Sequence, residues 1–156
     1  MTIPNLKITR TAPTVHMPTT ATTYSIGADV YAHIPRSGGG AGKLVFPSKT
    51  TRLVPTGIVA VAEPPYSILV ASRSGLAINR QLFVLNSPGI IDPDYRGEIK
   101  IMLHNAGHET QWITDGDRIA QLILVPIPYP IIEESLTDLR NDVTERGSRG
   151  FGSTGA

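Results

Sequence analysis

A chain of 156 residues is long enough to bury one core, and its 40% hydrophobic share is that of an ordinary globular protein. Fourteen Lys and Arg against thirteen Asp and Glu leave a formal charge of +1, which argues against a broad footprint for nucleic acid but permits a small anionic ligand. With no cysteine, disulfides, thiolate metal sites and a Cys nucleophile are excluded. No secretory pattern opens the chain and no apolar run reaches the roughly 18 residues of a membrane span, so a soluble, intracellular protein without a membrane partner is expected.

Thirteen prolines and fifteen glycines are spread along the chain, helical periodicity is scarce, and short apolar runs sit between turn signals. This is the pattern of an all-β sandwich or barrel. In chain order, residues 36–42 hold four glycines and read as a flexible loop. No Gly-Lys-Ser/Thr follows, so a phosphate cradle is not expected there. Residues 44–46, 50–54, 57–62 and 66–71 are candidate strands, and the one plausible helix is short, 74–80. In 98–105, Ile99, Ile101 and Leu103 alternate with Glu98, Lys100 and His104, and period two buries one face. Residues 119–125 read as a buried strand, after which Pro126, Pro128 and Pro130 interrupt the apolar run. The Gly-rich segment from Arg146 to Ala156 reads, by composition, as a frayed end.

Three segments concentrate polar groups among turn residues. Ser72-Arg73-Ser74-Gly75 follows a strand and leads into the short helix. It can aim hydroxyls, a guanidinium and backbone N–H groups at one anion, or simply cap the helix through Ser72 or Ser74. Asn86 through Gly97 surrounds Asp92 with apolar residues, which suits a carboxylate at the edge of a dry pocket taking a proton from water. From these residues alone, a β-hairpin in which Asp92-Pro93-Asp94 simply makes a turn is the favoured reading. In the third segment, Asp117 and Arg118 suit a surface pair opening a strand, and Gln121 needs a partner if buried. His104 and His108 are separated by Asn105-Ala106-Gly107, a turn rather than a helix, so zinc is not expected.

Taken in order, the chain resembles the trimeric deoxyuridine triphosphatase family, whose five motifs look like Ile26-Gly27-Ala28-Asp29-Val30, Arg73-Ser74-Gly75-Leu76, Gly89-Ile90-Ile91-Asp92 with Tyr95-Arg96-Gly97-Glu98, Gly116-Asp117-Arg118-Ile119-Ala120-Gln121-Leu122, and Arg146-Gly147 with Gly150-Phe151-Gly152-Ser153-Thr154-Gly155. The resemblance implies hydrolysis of dUTP to dUMP and pyrophosphate, limiting uracil in DNA and supplying dUMP for thymidylate synthesis. It implies a jelly-roll-like distorted β-barrel over residues 1–145, at most one short helix, and a C-terminal arm over 146–156. It also implies a homotrimer whose sites draw motifs one, two and four from one chain, three from a second and five from a third.

The roles it implies are specific. Asp92 is the general base. Tyr95 packs under the deoxyribose. Asn86 and the backbone of Gly89, Ile91 and Asp92 read the uracil edge. Arg73, Ser74, Gly75 and Gln121 hold phosphates and the attacking water. Asp29 holds waters on Mg2+ carried by the triphosphate. Arg146 pairs with the γ-phosphate, Phe151 stacks on the base, and Gly152, Ser153 and Thr154 complete the arm's contacts. One departure is Ser72, where this family usually has proline, a change expected to loosen the turn. A dCTP deaminase is the nearest enzymatic alternative, but Gly75 rather than a further serine follows Arg73-Ser74. A binding protein that lost catalysis is the other, opposed by intact Asp92, Tyr95 and arm.

Overall fold

A computed structural model describes residues 5–36, 42–141 and 143–144. In chain order the strands are β1 (Leu6–Arg10), β2 (Thr19–Thr20), β3 (Gly27–Tyr31), β4 (Lys43–Phe46), β5 (Thr51–Pro55), β6 (Ile58–Ala62) and β7 (Tyr66–Ala71), then helix α1 (Ser74–Arg80). There follow β8 (Leu82–Val84), β9 (Gly89–Ile91), β10 (Lys100–Asn105), β11 (Gln111–Thr114) and β12 (Arg118–Pro126), with a 3-10 turn at Leu139–Asn141. The class is all-β with one short helix, as the turn-rich composition implies.

All strand pairs are antiparallel, and they form four sheets: β2-β3-β12-β7-β9, β5-β10-β8, β1-β6 and β4-β11. They close on one core. Phe46, Ile58, Ile68, Ile101, Leu103 and Ile113, drawn from all four sheets, are each at most 1% exposed. Burying each such side chain stabilises the fold by roughly 2 kcal/mol. The alternation expected around β10 holds: Ile99, Ile101 and Leu103 face the core while Lys100 is exposed. The strand starts at Lys100 because the Ile99 N–H turns to Ile58 O, 2.9 Å away.

Two expectations need correction. β12 is not buried throughout. Ile119, Ala120 and Leu122 are buried, but the strand runs past Gly27, its last partner on β3, and keeps only β7 beside its second half. Neither Ser72 nor Ser74 caps α1. Arg73 stands at the cap position in an extended conformation, and no side-chain cap bond forms. Residues 37–41, the centre of the Gly-rich loop, lie outside the described residues. No helix among the described residues is long and apolar enough to cross a membrane.

Candidate active site

The central strand β12 assembles the first cluster by register. Gln121 stands opposite Asp29 on β3 and opposite Ala71 on β7. Arg73 follows Ala71 by two residues, still extended, so the first, second and fourth motifs meet at one end of three adjacent strands. Asp29 is only 5% exposed. One carboxylate oxygen accepts from Arg73 Nε at 2.8 Å and Gln121 Nε2 at 3.3 Å; the other accepts from Arg73 Nη2 at 3.4 Å and Arg118 Nη1 at 3.3 Å. With two donors on each oxygen, the capacity of the carboxylate is used.

Local irregularities make this possible. Arg118 and Gln121 are an odd number of residues apart, so a regular strand would point them to opposite faces. The register shifts between Arg118 and Ala120, and that bulge turns both side chains to Asp29. Gly27 leaves room beside them: a Cβ there would lie 3.2 Å from Gln121 Cδ. Arg118 therefore pairs with Asp29 rather than Asp117, whose carboxylate accepts from Thr114 N at 2.8 Å and lies 4.0 Å from Arg80. Arg118 was absent from the expected site residues; its odd spacing from Gln121 hides it in the sequence. Arg73, Gly75, Asn79, Arg80, Asp117 and Arg118 line one open hollow. A Cβ at Gly75 would meet nothing within 4 Å, so this chain's own packing does not require that glycine. Ser74 is exposed beside it.

The second cluster is the turn after β9. Asp92-Pro93-Asp94-Tyr95 closes through Tyr95 N to Asp92 O at 3.1 Å, so the turn reading is correct. The Tyr95 ring folds back over Gly97, where a Cβ would lie 2.3 Å from the hydroxyl; that hydroxyl donates to Glu98 O at 3.1 Å. Asn86 lies against Gly89, whose Cβ would come within 3.3 Å of both Asn86 Nδ2 and Val70 Cβ. Asp92 is exposed, not set in a dry pocket, because neighbouring Ile90 points outward at 67% exposure. It borders two shallow hollows, one with Tyr95, Glu98 and Lys100, the other with Pro64, Asp94 and Tyr129.

The two clusters do not meet within one chain. Ile91 stands opposite Ile68, and Arg73 follows Ile68 by five residues while Asp92 continues the other way. At ~3.3 Å per residue they are more than about 15 Å apart along the strands. Arg146, Phe151, Gly152, Ser153 and Thr154 lie outside the described residues. His104 accepts or donates to Thr51 at 2.9 Å, and among the described residues no three His, Asp or Glu side chains gather to hold a metal.

The dUTPase family model matches residues 14–155. The chain is 40% identical over 139 residues to the deoxyuridine 5'-triphosphate nucleotidohydrolase of Ehrlichia canis, covering 89% of this chain and 86% of that protein. Its fold is similar to a variant of the Staphylococcus bacteriophage 80alpha dUTPase with dUpNHpp, with a TM-score of 0.82 at 22% identity over 97% of this chain and 99% of that one. It is also similar to a variant dUTPase from phage phi11 of S. aureus whose structure concerns the coordination of a structural Mg(II) ion, with a TM-score of 0.74 at 20% identity over 86% and 98% of the chains.

Proposed function

This chain belongs to the dUTPase family, and we infer from that premise how its residues carry out the hydrolysis of dUTP to dUMP and pyrophosphate. The observation that carries the reading is the Asp29 cluster. A buried carboxylate holds Arg73 and Arg118 at the rim of an open hollow, two guanidiniums oriented in advance for a polyanion. Gly75, with open space where a Cβ would stand, leaves the backbone accessible to phosphate oxygens.

Asp92 is the general base. It takes a proton from the water that attacks the α-phosphorus; the bond to the bridging oxygen breaks, and pyrophosphate leaves with dUMP retaining the α-phosphate. Arg73, Ser74, Gly75 and Gln121 grip the phosphates and position the water, and Arg118 adds a second cation against the charge on the departing pyrophosphate. Tyr95, whose ring lies close over Gly97, is the floor under the deoxyribose and excludes a 2′-hydroxyl. Asn86 and the backbone of Gly89, Ile91 and Asp92 select uracil, since O4 of uracil accepts where N4 of cytosine donates.

These groups act together only between chains. The separation of Asp92 from Arg73 along β7 and β9 supports a site that pairs the Asp92 turn of one subunit with the Asp29 cluster of the next. A homotrimer with three such sites satisfies this by cyclic symmetry. Beyond β12, the apolar side chains of Ile131, Ile132 and Leu136 are almost fully exposed, which fits a segment that crosses onto another copy. In this reading residues 1–145 are the barrel and 146–156 an arm in which Arg146 meets the γ-phosphate, Phe151 stacks on the base, and Gly152, Ser153 and Thr154 add contacts.

Magnesium fits the site as an ion delivered with the triphosphate. The cluster contains one carboxylate rather than a cage, and magnesium retains several waters. Asp29 would be the residue that holds the ion, through waters the ion keeps. The ion, when bound, neutralises phosphate charge. Pyrophosphate release from dUTP, with dCTP, dTTP and UTP as controls, tests the reading: turnover of dUTP alone is expected, and equal turnover of all four would refute it.

A further inference from the structure

The geometry points to Ser72 as a positioning residue for base selection, fastening the Asn86–Gly89 turn to the strand end that presents Arg73. The Ser72 hydroxyl accepts from Val84 N at 2.9 Å, and the Ser72 N–H donates to Ser87 Oγ at 3.3 Å. The two bonds grip the chain on both sides of Leu85 and Asn86, immediately before Gly89 pairs with Val70 on β7.

Val84 explains why the first bond matters. It is opposite Leu103 in the β8–β10 ladder, and the neighbouring Leu85 N–H, not that of Val84, donates to β10 at Met102 O. β8 is the edge of its sheet, so the Val84 N–H points away from the ladder although Val84 is 1% exposed. Ser72 supplies the acceptor from just past the end of β7, and without it a buried donor is left to find water. The expectation that serine loosens this turn is therefore reversed: serine ties it at two points, through a hydroxyl and an N–H that proline lacks.

The consequence for selection rests on the reading of Asn86 to Asp92 as the uracil-binding turn. Asn86 packs on Gly89, and among the described residues it is held to β7 only through the ends of this turn. Releasing the Val84 end gives the Asn86 amide and the Gly89 backbone freedom that binding must then remove. The loss falls on binding and discrimination, while Asp92, beyond the β9 pairing, keeps its place.

The test compares Ser72→Ala, Ser72→Thr and Ser87→Ala in the full chain. Ser72→Ala is expected to raise KM for dUTP about fivefold with kcat within about twofold, and to lower the dUTP-over-dCTP preference by a similar factor. Ser72→Thr, which restores the acceptor, recovers both values, and Ser87→Ala moves KM less than Ser72→Ala. Amide exchange at Val84, measured without substrate, accelerates in Ser72→Ala. Slow Val84 exchange in Ser72→Ala, or KM and preference unchanged beside fast exchange, overturns the inference. A wild-type chain inactive on dUTP instead refutes the function itself, while Val84 exchange still reports whether the clamp exists.

Discussion

The Asp29 cluster and the Asp92 turn are built in opposite ways. Asp29 is buried, accepts four hydrogen bonds and is wired to β7, β12 and the bulge before it. Asp92 is exposed on a turn whose internal bonds hold the backbone and Tyr95, while its carboxylate has no partner among the described residues. The first is an arrangement finished within one subunit. The second leaves its carboxylate open to solvent. Under the proposed function this contrast has a reason: charge that must be oriented in advance is fixed by low-dielectric burial, whereas a base that must meet water and substrate stays open.

Substitutions at the two acidic residues should therefore separate cleanly. Asp92→Asn is expected to lower kcat by about a thousandfold, within the range of general-base catalysis, with an unchanged urea midpoint and nearly unchanged dUTP affinity. Near-normal turnover in that variant means the base lies elsewhere. Asp29→Asn is expected to do both kinds of damage. It strips two guanidiniums of their partner, and stability should fall by about 2 kcal/mol, between the values for buried and exposed pairs. The urea midpoint reads the first effect and KM for dUTP the second; a stable variant with normal KM removes the cluster from the site.

The smallest effect concerns Gly97, where the turn depends on a missing Cβ. Gly97→Ala must lift the Tyr95 ring, since the new methyl would fall 2.3 Å from the hydroxyl. UTP turnover should rise a few-fold relative to dUTP, and Tyr95→Ala should raise it further. Unchanged sugar discrimination in both would assign that selection to another group.

The sequence disclosed these regions unequally for physical reasons. The strand ending at Asn105 is long enough for its alternation to show, whereas the seven-residue helix at Ser74–Arg80 is marked by the polar turn residues that lead into it rather than by a period. β8 and β9, each three residues, and the two-residue β2 are too short to display alternation, and polar neighbours hide β1, β3 and β11. Gln121 announced its need for a partner, but Asp29 lies 92 positions away and only strand register reveals the pairing. Arg118 required a bulge, and Ser72 required knowing which edge donor it faces. At Asp92 the apolar neighbours suggested a dry pocket, yet Ile90 faces outward; local hydrophobicity does not say whether cover comes from the same chain.

The claim that the two regions meet only across a subunit boundary is tested most directly by complementation. Asp92→Asn keeps an intact Asp29 cluster, and Arg73→Gln keeps an intact Asp92 turn. Unfolded together in equal amounts and reassembled, they form mixed trimers in about three quarters of cases, each with one site that takes Arg73 from the first variant and Asp92 from the second. Roughly a quarter of all sites should regain dUTP hydrolysis, with mixed assembly confirmed by mass. Activity that stays at the level of the separate variants, in trimers shown to be mixed, would contradict a site shared between chains.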